Sequence, residues 1–237
     1  MWAIGGGQVC EEGKIVADHL RRKLWIVPTN LSCDAFFTST IAVRNPAFPG
    51  YPEPQYAKVQ LTRGIIFDAK ILLEAEPRYN VAGWADILSG ITAWITWSKK
   101  KNYSPVVAKK MEDLISRCCY PYCERNLKIL YDTLDEEVIL CNMFNSSDPE
   151  EGIEHKVAYR LEGLCLEPML HGELVFIGIY EIVREFKEIG LQKVVKKHFR
   201  TLKVDIRKLE RKIRGGRRQI KEIVKEVVDE FLRKGVS

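Results

Sequence analysis

Apolar positions along this chain fall first in short runs around one helical stretch and then almost wholly at helical spacing, and the change divides it. Met1 to Ile4 is a short apolar run that meets Gly5, Gly6 and Gly7; from Gln8 to Leu20 the apolar residues take helical spacing, and Leu24 to Thr29 is apolar again and ends in Pro28-Thr29. Strand, glycine turn, helix and strand predict a βαβ unit. Ile41–Val43 predicts a further short strand, and Asn45–Gln55, rich in Pro and Gly, predicts a surface loop. Lys58–Leu61 and Gly64–Asp68 read as strands, the second buried.

From Ile71 onward the pattern is helical. Glu74–Arg78 introduces a helix with Pro77 tolerated in its first turn, and helices follow at about 84–98, 104–117, 122–131, 135–145, 150–165, 171–189, 192–199, 205–213 and 216–234. The expected organisation is a small α/β part over residues 1–73 and a larger helical part over residues 74–237.

The glycine turn is the first chemical feature. Without Cβ atoms, Gly5, Gly6 and Gly7 let the backbone bend sharply and offer its N–H groups to an anion at the positive end of the helix that follows. The same triplet also serves as a plain tight turn, so the motif alone leaves both readings open. The polar loop Asn30–Ser39 lies at the carboxyl end of the second strand, where open α/β sheets place their ligands. Lys14 is expected on the surface of the first helix.

Composition narrows the class. An apolar fraction of 46% over 237 residues supports a sizeable core. The longest apolar run, Leu174–Tyr180, is far short of the roughly 20 residues of a membrane span, and no basic, apolar leader follows Met1, so a soluble, cytoplasmic protein without a membrane partner is expected. Seven scattered cysteines predict reduced thiols; the cluster Cys118, Cys119, Cys123 lacks a second CxxC pair for a metal. Net charge is +5, but Lys193–Ser237 holds sixteen Lys/Arg against six Asp/Glu, +10 in all, which leaves −5 for the remainder. Apolar residues recur at helical spacing through this tail, so its cations are expected to coat a solvated face rather than to bind nucleic acid.

Four segments taken in order resemble the metal-dependent polyol dehydrogenase family that includes glycerol dehydrogenase, glycerol-1-phosphate dehydrogenase and, more remotely, dehydroquinate synthase. They are Gly5-Gly6-Gly7 with Lys14; Val27-Pro28-Thr29 leading to Ser32-Cys33-Asp34; Val81-Ala82-Gly83-Trp84-Ala85-Asp86; and Gly152-Ile153-Glu154-His155 with His171-Gly172-Glu173. The resemblance implies a truncated Rossmann-like part followed by a helical bundle, the dehydroquinate synthase-like fold. It implies Asp86, His155 and His171 as ligands of Zn²⁺ or Fe²⁺. One carboxylate and two imidazoles leave an open position for a substrate oxygen, where the ion acts as a Lewis acid while hydride leaves for a nicotinamide. Each ligand also has an ordinary reading: Asp86 and His171 as helix caps, His155 as an exposed helical residue.

The same resemblance implies NAD or NADP as cofactor, its pyrophosphate at Gly5, Gly6 and Gly7, with Thr29, Ser32 and Thr38 or Ser39 approaching the adenosine and nicotinamide portions. Asp34 would face the substrate, hydrogen-bonding a hydroxyl or helping relay the alcohol proton. Branch signals disagree. Glu154 before His155 resembles the phosphate branch, whereas Asp34-Ala35 is similar to glycerol dehydrogenase; Cys33 and Tyr159 stand where the phosphate branch commonly has His. The lysine segment of dehydroquinate synthase is absent. Only four residues precede the glycine turn, so the resemblance implies an amino-terminally truncated nucleotide-binding sheet. Expected partners are a polyol or polyol phosphate, and a second copy or another polypeptide covering the strand edge of Met1–Ile4.

Overall fold

A computed structural model describes residues 1–43, 55–59 and 62–234. β1 (Trp2–Gly5) is followed by α1 (Gly7–His19) and β2 (Trp25–Pro28), which lies parallel to β1 with Trp2 opposite Trp25 and Gly5 opposite Pro28. β3 (Thr40–Val43) and β4 (Gln55–Lys58) form a separate antiparallel pair, and β5 (Gly64–Ile65) returns parallel to β2. The main sheet therefore runs β1-β2-β5, with β1 at its edge.

Ten helices follow among the described residues: α2 (Ala69–Glu74), α3 (Pro77–Ala82), α4 (Trp84–Trp97), α5 (Pro105–Ser116), α6 (Glu124–Phe144), α7 (Ile153–Glu162), α8 (His171–Glu185), α9 (Ile189–Leu202), α10 (Ile206–Glu210) and α11 (Gly216–Lys234). The fold class matches the expectation: a small parallel α/β part and a larger helical bundle.

The bundle is arranged around α4 and α8. In α4 only Trp94 is exposed, and a helix apolar on nearly every side must be surrounded by others. α8 packs on α4 and α7, while α9, α10 and α11 lie against it in turn. Local signals set the boundaries. Ser104 caps α5 through its hydroxyl with Pro105 as first helical residue, Asp205 caps α10, and Asn145 and Lys203 end α6 and α9 in the left-handed conformation.

Some elements differ from the sequence reading. The helices read at 122–131 and 135–145 are one helix, α6, because Leu127, Leu130, Leu134 and Val138 continue a single buried stripe with no breaker between them. The strand read over Gly64–Asp68 stops at Ile65 and is only half-buried, since Asp68 turns to cap α2, accepting from Lys70 N at 2.9 Å and Ile71 N at 3.3 Å. The loop read over Asn45–Gln55 lies outside the described residues except for Gln55, which instead opens β4; the strand read at Lys58–Leu61 has only Lys58 in a strand, as the last residue of β4, and its residues 60–61 lie outside the described residues. All seven cysteines are free thiols.

One face of the sheet is covered by α1, through Cys10 and Ala17. On β1 the alternate residues Trp2 and Ile4 are 58% and 61% exposed, and Trp2 stacks on Trp25 with ring centroids 5.8 Å apart. Parallel strands are normally covered on both faces, so this edge and face are unusually bare.

Candidate metal centre

Three helix starts bring three donors together. Asp86 is the third residue of α4, His155 the third of α7 and His171 the first of α8. One ligating atom from each lies within 4.8 Å of the others, Asp86 and His155 are buried, and His171 keeps part of its surface. Among the described residues this is the one such group of three or more donors. Gly83 is what allows α4 to begin there: a Cβ on it would stand 1.9 Å from Leu31 O, so a larger residue would push α4 and Asp86 away from the loop after β2.

The donor set suits a divalent ion with a vacant coordination position, such as zinc or ferrous iron. His155 is held from behind. Its Nδ1 meets Glu154 Oε1 at 2.8 Å, and the fully buried Glu154 also accepts from Gly152 N at 2.8 Å and, at Oε2, from Thr92 Oγ1 at 2.6 Å. Such a carboxylate fixes the ring and leaves Nε2 as the ligating nitrogen. His171 Nδ1 stands 3.5 Å from Glu162 Oε1, and its ring stacks on Tyr159 at 5.4 Å and faces His155 at 5.3 Å.

Electrostatics bind the cluster together. Burial, joined by the charge of Asp34, pushes the Asp86 carboxyl up to about 8. For His155 burial opposes the charged ring, but the Glu154 hydrogen bond with the Glu151, Glu154 and Asp86 charges outweighs it and raises the pKa to about 10. Asp34 is raised by desolvation, with Lys14 and His155 pulling the other way. Glu137 and Glu150, in the same acidic surroundings, are pushed well above the usual carboxylate range, first by burial and then by their neighbouring carboxylates.

The glycine turn after β1 is less open than a bare glycine loop. A Cβ on Gly6 would lie 2.9 Å from Asn30 Nδ2, and one on Gly7 2.6 Å from Cys33 Sγ, so these glycines also let the turn close against the Asn30–Asp34 loop. Gly5 is buried beside Val9. The start of α1 has no side-chain cap and no acidic residue in its first turn, which leaves it compatible with an anion such as pyrophosphate. Thr29 and Ser32 are half-buried along the loop after β2. Thr38 is engaged: its hydroxyl accepts from Lys14 Nζ at 3.1 Å and donates to Thr40 O at 3.0 Å; Ser39 contributes its carbonyl to Val59 N at 2.9 Å.

Lys14 departs from the surface position expected of it. It is 1% exposed, and its ammonium donates to Ala35 O as well as to Thr38, while desolvation lowers its pKa against the pull of Asp34. The signal was present in the spacing, for Cys10, Lys14 and Ala17 occupy one buried helical stripe. Thr92 and Glu137 had no such signal, because what they meet is far away in sequence.

No family model matches the chain. It is 26% identical over 187 residues to glycerol-1-phosphate dehydrogenase [NAD(P)+] of Methanobrevibacter smithii, covering 74% of this chain and 52% of that protein. The chain spans about half the length of the curated relatives it matches. Among solved structures, a probable glycerol dehydrogenase from Sinorhizobium meliloti superposes with a TM-score of 0.63 at 15% identity, over 98% of this chain and 75% of that one. An iron-containing alcohol dehydrogenase from Thermotoga maritima gives 0.61 at 13% identity, over 96% and 75%. The fold is shared with these dehydrogenases. The family that the four motifs resemble is the one to which these relatives point, and the helical bundle that carries Asp86, His155 and His171 is part of that common architecture.

Proposed function

We propose that this chain is the metal- and substrate-binding part of an NAD(P)-dependent dehydrogenase that interconverts glycerol-1-phosphate, or glycerol, with dihydroxyacetone phosphate, or dihydroxyacetone. The convergence of Asp86, His155 and His171 within 4.8 Å carries this reading, and the likeness to glycerol-1-phosphate dehydrogenases supports it. Residues 74–237 would hold metal and substrate, and residues 1–73 would contribute to the nucleotide side.

A zinc or ferrous ion held by those three residues would supply Lewis acidity at the substrate oxygen. Glu154 keeps the His155 ring in one orientation, so its Nε2 needs no rearrangement to ligate. Asp34 would accept a hydrogen bond from a substrate hydroxyl and help remove its proton, with Lys14 setting the local charge. The first N–H groups of α1 would receive the pyrophosphate of NAD or NADP, with Thr29 and Ser32 beside the adenosine and nicotinamide portions. Thr38 would act through Lys14 rather than through the cofactor.

The bare β1 edge favours a second component. A partner polypeptide or second copy that adds a strand beside Trp2–Gly5 would cover Trp2 and Ile4 and complete the nucleotide surface. The test is metal analysis of the purified chain and of His171→Ala, followed by oxidation of NADH or NADPH with dihydroxyacetone phosphate. About one ion per chain, lost in the variant, with turnover, supports the proposal. Metal without turnover leaves a non-catalytic or partner-requiring metal-binding relative; no metal with all three ligands intact ends the proposal.

A further inference from the structure

Further along α4, beyond Asp86, an open cleft of about 470 Å³ runs between α4, α5 and α9. Its walls include Ile91, Trp94 and Trp97 of α4, Met111 and Ile115 of α5 and Val194 of α9. The volume falls within the range of ligand sites, yet the lining offers hydrocarbon and aromatic surface almost throughout. Its charged members, Lys109 and Glu112, pair with each other at 2.8 Å out in solvent.

Apolar residues beside the cleft are exposed too. Trp94 and Val194, both in its lining, are 46% and 38% exposed, and Val106, next to the lining residue Pro105, is 75% exposed. Beside them α9 presents Lys193, Lys196, Lys197 and Arg200, all exposed, and has no acidic residue from Ile189 to Leu202. The spacing of the four cations places them on one stripe.

We propose that this face docks on an anionic lipid surface, Trp94, Val106 and Val194 entering the acyl boundary while the cations of α9 meet headgroup phosphates. Val194 lies about 100° around α9 from Lys193, so the cationic stripe runs beside an apolar flank, as in segments that lie in a bilayer interface, and Trp favours that depth. A second copy fits poorly, because a two-fold contact would set the same four cations against each other. A nucleic-acid backbone would satisfy the cations but leave Val106, Val194 and the cleft without a partner. No helix among the described residues is long and apolar enough to cross a membrane, so the contact is peripheral.

The experiment is co-sedimentation of the full chain with phosphatidylcholine vesicles, with and without phosphatidylserine. The expected result is pelleting with the anionic vesicles only. Val106→Asp with Val194→Asp, both at exposed sites, should abolish it while leaving the far-ultraviolet spectrum and melting point in place. Lys193→Glu with Lys197→Glu should weaken it by more than about tenfold. Absence of wild-type pelleting with anionic vesicles overturns the proposal. So does undiminished binding by the aspartate pair, or equal affinity for duplex DNA, either of which makes the face a plain polyanion site. Binding of monomeric lysophospholipid with no vesicle binding overturns it in favour of a soluble amphiphile.

Discussion

Lys14 and Thr38 meet at 3.1 Å, Nζ to Oγ1, although one belongs to the first helix and the other to the loop that carries Asp34. The same ammonium holds Ala35 O, so a single buried cation ties the glycine-turn helix to the loop facing the candidate metal. Lys14→Met keeps the stem and removes the donors. It leaves a carbonyl unpaired and Asp34 without its counter-charge, and should cost about 1–3 kcal/mol in urea unfolding. Amide exchange at residues 35–38 should quicken as well. An unchanged midpoint together with unchanged exchange would show that the lysine ties nothing.

Glu154 should matter to metal binding without touching the metal. It receives Gly152 N, Thr92 Oγ1 and the His155 ring, all in a site closed to water. Replacing it by Ala frees the ring to turn and removes the charge that favours its Nδ1 proton. Zinc affinity, measured against a competing chelator, should fall about 10–100-fold. Glu154→Gln, which can still accept from Thr92 or Gly152, should fall less. Equal affinity in all three proteins would reduce Glu154 to a packing residue.

Much of this arrangement could be read along the chain, and the rest could not, for definite reasons. Asp86, His155 and His171 were legible because each sits in a short motif whose order is itself informative. The α/β start was legible because short apolar runs and helical spacing alternate there over short distances. The sheet partners were not: β5 is two residues long, and nothing in Gly64-Ile65 says that it pairs with Ile26 rather than extends onward. Lys14 was misplaced because a charged residue on a helix defaults to the surface, and only its position between Cys10 and Ala17 argued otherwise. Thr92 lies 62 residues from Glu154, a contact that only tertiary packing creates.

Binding of zinc should release protons and tighten with pH. With the metal absent, His155 is held charged by Glu154 and its acidic neighbours, up to about 10, and Asp86 is held protonated by burial and Asp34, up to about 8. Both must lose a proton to ligate, so affinity should rise as pH climbs toward those values. Calorimetry in buffers of different ionisation enthalpy measures the released protons directly. Affinity independent of pH, with no buffer dependence, would mean that the donors are already deprotonated or do not ligate.

Glu137 supplies the sharpest pH prediction for the fold itself. It is fully buried on α6, neither carboxyl oxygen has a hydrogen-bond partner among the described residues, and burial first, then Glu150, Asp86 and Asp34, raise its pKa well above the usual value. The native chain therefore binds a proton that the unfolded chain releases above about pH 4.3. Its contribution is fully present below that value and declines as pH rises toward the folded pKa, because the unfolded state gains from ionising while the native state cannot. Glu137→Gln keeps the shape of the neutral acid and has no proton to lose. In metal-free protein the variant should match the wild type near pH 4 and exceed it in stability at pH 7, with the gap widening steadily between. Chemical denaturation across that range reads the difference directly; a gap that stays constant, or a less stable variant at pH 7, would mean that Glu137 is ionised and paired in the native chain.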